Sequence, residues 1–261
     1  MKIPFSKYHG TGNDFILIDN RLIHWEPAEQ QVSFMCDRHF GIGADGLILL
    51  SEHDGFDFAM NYYNSDGHES TMCGNGGRCI TAFAKSQGLV DRRARFWAVD
   101  GTHECEISRN KSSYSYRLKM KDTRIGMQFD DGIFLNTGSP HFVHFTGDVA
   151  GKDVFNTGRM LRHDVRFAPG GTNVDFVELT SDGLFVRTYE RGVEDETLSC
   201  GTGVTASAIA ASYLQTGNKG PCQIETRGGL LSVTFTQSGE FFTEIWLEGP
   251  AVFVFSGEIE L

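Results

Sequence analysis

Runs in which β-branched and aromatic residues concentrate or alternate with polar ones recur along the chain, at 14–19, 57–61, 95–99, 142–145, 175–179, 184–189 and 230–235. Each predicts a strand. Leu47-Ile48-Leu49-Leu50, directly after Gly46, predicts another. Two segments rich in Ala and small residues, 77–87 and 204–215, predict helices, and each stops just short of a glycine, Gly88 or Gly217, that suits a left-handed cap. Both follow a Cys-Gly-x-Gly sequence. A last strand is expected over 251–255, after the break at Gly249-Pro250, returning to the sheet of the first half.

The two helices belong to an internal repeat. Cys73-Gly74-Asn75-Gly76 leads into a helix, Gly88, a strand and a turn at Gly101; Cys200-Gly201-Thr202-Gly203 leads into a helix, Gly217, a strand and a turn at Gly228. Each cysteine lies 28 residues before its turn glycine and 15 after an aromatic strand start, Phe58 or Phe185. A weaker echo links Gly10-Thr11-Gly12-Asn13-Asp14-Phe15 with Gly171-Thr172-Asn173-Val174-Asp175-Phe176. The expected fold is therefore α+β, with two pseudo-symmetric domains, each a curled, mostly antiparallel sheet around one central helix. The turn residues Asn110-Lys111-Ser112-Ser113 and the charged stretch 119–124 mark the seam. The first domain is drawn as 1–117, completed by 249–261 and carrying Cys73; the second as 118–248, carrying Cys200.

Composition narrows the function classes. Lys and Arg number 23 against 34 Asp and Glu, a net charge of −11, and the basic residues are scattered, so no nucleic-acid surface is expected. An apolar fraction of 40% with 22% charged residues is that of a globular chain. No apolar run approaches the roughly 20 residues of a membrane helix, and the opening Met1-Lys2-Ile3-Pro4-Phe5-Ser6-Lys7 lacks an apolar export core. A cytoplasmic location is expected, with no membrane partner. The six cysteines, at 36, 73, 79, 105, 200 and 222, form no C-x-x-C pair and are too sparse for a disulfide scaffold. Cys36, Cys79, Cys105 and Cys222 are read as packing residues.

Cys73 and Cys200 differ by their setting. A thiol just ahead of a helix, among glycines, sits where unpaired N–H groups and the helix dipole favour negative charge, which can lower its pKa from about 8.5 toward 7. Alone, one Cys-Gly-x-Gly is as well explained by a tight turn. Two in repeat-related positions, converging on one cleft, suit the inversion of a carbon stereocentre, which takes a proton from one face and returns one to the other. Helix N–H groups would stabilise the charge that builds on an adjacent carboxylate. No metal and no pyridoxal cofactor is then needed.

The motifs around these cysteines resemble the diaminopimelate epimerase family, which interconverts L,L and meso diaminopimelate in lysine and peptidoglycan precursor synthesis without a cofactor. The resemblance rests on 9–15 (HGTGNDF), 37–46 (DRHFGIGADG), 64–67 (NSDG), 72–76 (MCGNG), 189–192 (YERG) and 200–203 (CGTG). It implies Cys73 and Cys200 as the acid/base pair, with His141 and Glu190 tuning the thiols. It further implies substrate contacts from Asn13, Asn64, Asn173, Glu190 and Arg191, and from the backbone about Gly74, Asn75, Gly201 and Thr202. Arg191 suits a two-pronged grip on a distal carboxylate. Two positions depart: Ser139-Pro140-His141 stands where the family commonly has Asn-Pro-His, and Gly46 stands where some members carry Gln. The expected partners are a small-molecule substrate and, as a homodimer, a second copy of the chain.

Other readings weigh against these. Gly41-x-Gly43-x-x-Gly46 fits a dinucleotide fingerprint but precedes a strand rather than a helix. Cys73, Cys79 and His68 lack the spacing of a zinc site. Singly, the three asparagines read as turn residues, Arg191 as a solvated charge and His141 as a structural histidine. The rival functions are a proline or hydroxyproline racemase, which usually carries His where Asn75 stands, and a thiol redox or sensing protein.

Overall fold

The computed structural model describes residues 2–110, 113–214 and 221–261. The helix end and cap expected at 215–217, and part of the turn expected at 110–113, lie outside them. Along the chain come β1 (Lys2–Gly10), β2 (Asn13–Asp19), α1 (Glu29–Cys36), β3 (Gly46–Ser51), β4 (Phe58–Asn64), β5 (Glu69–Ser70), α2 (Gly74–Ser86), β6 (Arg93–Ala98), β7 (Gly101–Asn110) and β8 (Ser113–Lys119). There follow β9 (Thr123–Phe129), β10 (Gly132–Asn136), β11 (Pro140–Phe145), α3 (Val154–Arg162), β12 (Asn173–Leu179), β13 (Leu184–Glu190), β14 (Asp195–Thr197), α4 (Gly201–Leu214), β15 (Cys222–Thr226), β16 (Gly229–Ser238), β17 (Phe241–Gly249) and β18 (Val252–Glu260). The chain divides into two compact units, Met1–Leu118 with Gly249–Leu261, and Lys119–Glu248.

In the first unit β18 lies antiparallel along β1, from Lys2 opposite Glu260 to His9 opposite Val252. The order then runs β1-β2-β3-β4-β6-β7, with β2–β3 and β4–β6 parallel and the other pairs antiparallel. α2 touches β1, β2, β3, β4 and β7, and its residues 74–84 are all buried. The sheet thus curls about it. β2 and β3 are covered on both faces: Phe15 and Ile48 reach Gly76 of α2, while Ile16, Ile18, Leu47 and Leu49 join Val32 and Met35 of α1 in a core on the other side. This is why 15–18 and 47–50 are unbroken apolar runs rather than alternating ones.

The second unit repeats the plan as β10-β11-β12-β13-β15-β16, again with parallel second and fourth pairs. β16 pairs with β17, β17 with β9 and β9 with β10, so this sheet closes on itself. α4 is enclosed, touching β10, β11, β12, β13, β15 and β16. α3 packs on the outer face against β12, β13 and β14, over a core that includes Phe142, Leu161, Phe176 and Tyr189. Gly201 opens α4 127 residues after Gly74 opens α2. The register recurs too: Phe15 pairs with Gly46, and His141 with Asn173, 127 residues beyond Gly46.

The α+β class and the central helices stand as expected. Both helices, however, start three residues earlier, so the Gly-x-Gly segments form their first turns rather than leading into them. At Gly203 the strand packed against that turn leaves no room for a side chain, since a Cβ there would lie 2.3 Å from Asp175 Oδ1. α1, α3 and β7 through β10 carry little sequence signal; the inward positions of β7 are His103, Cys105 and Ile107, of which one is a strong strand former. Among the described residues no helix is long and apolar enough to cross a membrane.

Candidate functional site

Cys73 is the extended residue that caps α2, with φ −94° and ψ 135°, and its carbonyl accepts the N–H of Gly77 at 2.7 Å. The first N–H groups of the helix, from Gly74 onward, therefore have no partner within it and lie beside the cysteine. Cys73 is half-buried. Its Sγ donates to Asn13 Oδ1 at 3.6 Å, and the same oxygen accepts Asn75 Nδ2 at 3.1 Å. Asn75 is oriented from behind by Arg78, whose Nη2 donates to Asn75 Oδ1 at 2.7 Å. Arg78 is wholly enclosed and also donates to the carbonyls of Gly74 and Pro250, each at 3.3 Å. Burial drives its pKa below the usual arginine value.

Asn13 is held from its other end. Its Nδ2 donates to Asp45 Oδ2 at 2.7 Å, and Arg38 ties Asp45 to Asp14, with Nη2 at 2.8 Å from one carboxylate and 2.7 Å from the other. Lys7 pairs with Asp14 at 2.7 Å. Burial alone would raise the Asp14 carboxyl, but hydrogen bonds from Arg38 and Lys7 outweigh it and hold the pKa at about 2. Arg38, Asp14 and Asp45 lie inside the quoted motifs, yet sequence reasoning gave them no role; they orient Asn13. Asn64 ends β4 opposite Gly46. A Cβ on Gly46 would come within 2.6 Å of the Tyr62 ring and the Tyr63 carbonyl oxygen, so strand packing here excludes any side chain.

In the second unit Cys200 immediately precedes α4, and its carbonyl accepts the N–H of Val204 at 2.9 Å, the same capping relation as at Cys73. It is buried, 7% exposed. Its Sγ lies 3.4 Å from Thr202 Oγ1. His141, at 0% exposure, reaches Thr202 Oγ1 through Nε2 at 2.9 Å and Asp175 Oδ2 through Nδ1 at 2.8 Å. Asn173 donates to Ser139 Oγ at 2.9 Å and to the Pro140 carbonyl at 2.7 Å, and accepts the Arg191 N–H at 2.8 Å. Arg191 Nη2 is 3.5 Å from Ser139 Oγ. The departing residue Ser139 thus bridges Asn173 and Arg191. Glu190 accepts from Thr197 Oγ1 at 2.8 Å.

Burial first, then the charges of Glu190 and Asp175, push the Cys200 thiol well above its ordinary pKa, against the opposing pull of the Thr202 hydroxyl and the Gly203 N–H. This runs against the expectation of a thiolate-prone Cys200: the helix terminus is present, but so are two carboxylates that the repeat did not reveal. The packing cysteines Cys36 and Cys105 are raised by burial to about 12. What separates Cys200 from them is its link through Thr202 to the buried His141–Asp175 pair rather than its pKa. Of the expected residues, the first unit gathers Cys73, Gly74, Asn75 and Asn13, and the second gathers Cys200, Gly201, Thr202, His141, Asn173, Glu190 and Arg191. Asp175 was missed, although it lies in the quoted echo at 171–176.

The diaminopimelate epimerase family model matches residues 5–122 and 133–254. A diaminopimelate epimerase of Flavobacterium psychrophilum is 49% identical over 255 residues, covering 97% of this chain and 98% of that one. Among solved structures, a PhzF-family phenazine biosynthesis protein of Bacillus anthracis has a TM-score of 0.76 at 15% identity, covering 100% of both chains. A hydroxyproline epimerase of Agrobacterium vitis, solved with trans-4-hydroxy-L-proline, has a TM-score of 0.73 at 13% identity, covering 100% of this chain and 93% of that one. At such identities the likeness is one of fold alone and does not choose between substrates. The family model and the close relative, each spanning nearly the whole length, do choose: the chain belongs to the diaminopimelate epimerase family.

Proposed function

We propose that this protein interconverts L,L and meso diaminopimelate by moving protons at one α-carbon, with Cys73 and Cys200 as the two transferring groups and no pyridoxal cofactor. The observation that carries the mechanism is the recurrence of a capping cysteine at the start of an enclosed helix in each unit. For each stereoisomer one sulfur removes the α-proton and the other supplies its replacement, and the roles exchange for the reverse reaction. The backbone N–H groups of Gly74, Asn75, Gly201 and Thr202, in the first turns of the two helices, are suited to the reacting carboxylate, where charge accumulates in the transition state. Asn13, Asn64, Asn173, Glu190 and Arg191 bind the remainder of the substrate, and His141 and Glu190 tune Cys200.

Arg191 distinguishes a substrate with two carboxylates from proline. Arg191→Lys is expected to lower kcat/KM for diaminopimelate by roughly 100-fold, since a point charge does not reproduce a planar fork; steady-state kinetics with an unchanged value would remove Arg191 from the binding site. The reading as a whole is tested by incubating reduced protein in deuterated water with L,L-diaminopimelate or L-proline. Deuterium at the α-carbon of diaminopimelate alone supports it. Exchange into proline favours the racemase reading, and no exchange into either favours a redox thiol protein.

Two working thiols suit a reducing compartment, and we place the chain in the cytoplasm. A second copy of the chain is the partner we assign to β18, where Val252, Phe253, Val254 and Phe255 are 43–52% exposed in succession. Sedimentation of the intact protein as a monomer would refute that assignment.

A further inference from the structure

In the register shared by the two units, β2 and β3 present Phe15 and Ile48 to α2, whereas β11 and β12 present His141 and Asp175 to α4. A Cβ on Gly76 would lie 3.2 Å from Ile48 and 3.6 Å from Phe15; one on Gly203 would lie 2.3 Å from Asp175 and 3.2 Å from His141. The same place in the architecture thus holds hydrocarbon in one unit and a wholly buried carboxylate and imidazole in the other. Packing is satisfied by hydrocarbon, and burying two ionisable groups is costly. The polar pair therefore needs a reason other than the fold.

That pair is linked to the thiol without a break, from Asp175 Oδ2 to His141 Nδ1 at 2.8 Å, His141 Nε2 to Thr202 Oγ1 at 2.9 Å, and Thr202 Oγ1 to Cys200 Sγ at 3.4 Å. Its direction is set at the carboxylate end. Thr188 donates to Asp175 Oδ1 at 2.8 Å, and an ionised carboxylate can only accept, so His141 carries its proton on Nδ1 and offers Nε2 as an acceptor. Nε2 takes the single hydroxyl proton of Thr202, which leaves the Thr202 oxygen to accept from the Cys200 S–H. We infer that Asp175 is a positioning residue that, through the His141 tautomer and the Thr202 hydroxyl, holds Cys200 as a protonated thiol in the resting enzyme, ready as the proton donor for the isomer that Cys73 deprotonates. This rests on the two-thiol reading above and deepens it: behind Cys200 the chain runs through a buried imidazole and carboxylate, at the places where the first unit has Phe15 and Ile48. The upward push on the Cys200 pKa from burial, Glu190 and Asp175 acts in the same direction; the Thr202 hydroxyl would oppose it only by donating to sulfur, and its proton is committed to His141 Nε2.

The test combines nitrogen-15 histidine NMR of the intact reduced protein with iodoacetamide labelling of Asp175→Asn, each cysteine followed by peptide mass spectrometry. In the native protein His141 should carry its proton on Nδ1. In Asp175→Asn the carboxamide should donate to Nδ1 and move the proton to Nε2, and loss of the charge should act with it. Cys200 should then label about tenfold faster, as for a pKa one unit lower, with the Cys73 rate unchanged. A proton on Nε2 in the native protein, or an unaltered Cys200 rate in a folded variant, would overturn the inference. Should the variant fail to fold, the native tautomer alone decides. Failure of the epimerase reading looks different: no deuterium enters diaminopimelate, and both of these readouts survive.

Discussion

Cys73→Ala and Cys200→Ala should each lower turnover by about 10³-fold or more from both the L,L and the meso isomer, because every turnover needs one sulfur as base and the other as acid. The loss in both directions is the informative part. A single-base mechanism would leave one cysteine dispensable, and a redox thiol protein would show no exchange of the α-hydrogen even before either cysteine is replaced. Cys73 is half-buried at a helix cap, and the Cys200 sulfur has only the Thr202 hydroxyl and the Gly203 N–H as polar partners among the described residues, so replacing either single sulfur atom is a small change in packing. The folded fraction and melting temperature should stay near those of the native protein. Serine at either position should retain a slow remnant, since a hydroxyl donates a proton but is a poor base. Assay of the purified alanine variants from both isomers decides the matter; near-native rates in either one would end the two-thiol mechanism.

The second large effect should fall on Gly203 and spare its counterpart Gly76. A Cβ on Gly203 would sit 2.3 Å from Asp175 Oδ1, and Asp175 is short and fastened by His141 and Thr188 at 2.8 Å each. Relief requires breaking those bonds in a dry interior, so Gly203→Ala should cost about 3 kcal/mol, lower the melting temperature by roughly 10 °C and disrupt the chain that leads to Cys200. At Gly76 the nearest atoms are the terminal methyls of Ile48 and Met60, both at 3.2 Å, which can turn aside. The helix preference of alanine over glycine, about 1 kcal/mol, offsets the crowding, and Gly76→Ala should stay within about 1 kcal/mol of native. Thermal unfolding of the two variants provides the comparison, and equal losses would show that the Asp175 pocket is not the rigid one.

Those two glycines also show how far the sequence could be read. The spacing of Cys73 and Cys200 revealed the repeat, the central helices and the pair of thiols, because a duplicated pattern is visible without any coordinates. The chemistry behind each thiol was not legible that way. Asp175 occupies the position that Ile48 holds in the first unit, so the repeat points to a core hydrocarbon where a carboxylate stands. Arg78 reads as one more helical arginine, and only its enclosure beneath Asn75 shows that it orients the cap. Ser139 reads as the loss of a carboxamide, whereas its hydroxyl joins Asn173 to Arg191. For Asp175 and Ser139 the missing information is a contact between residues far apart in sequence, and for Arg78 it is burial and the reach to Pro250; no local pattern records either.

The pairing of β1 with β18 also bears on biosynthesis. The sheet that encloses α2 is completed by 252–260, and Arg78 beneath the Cys73 cap takes Pro250 as one of its acceptors. A ribosome therefore delivers everything that Lys119–Glu248 requires before it delivers the last pieces of the unit that contains the N-terminus. The part of the chain made first is the last able to reach its native form, and until then the edge of β1 waits unprotected. Nascent chains halted before residue 250 should accordingly show a protease-resistant second unit alongside a first unit that is still open to cleavage.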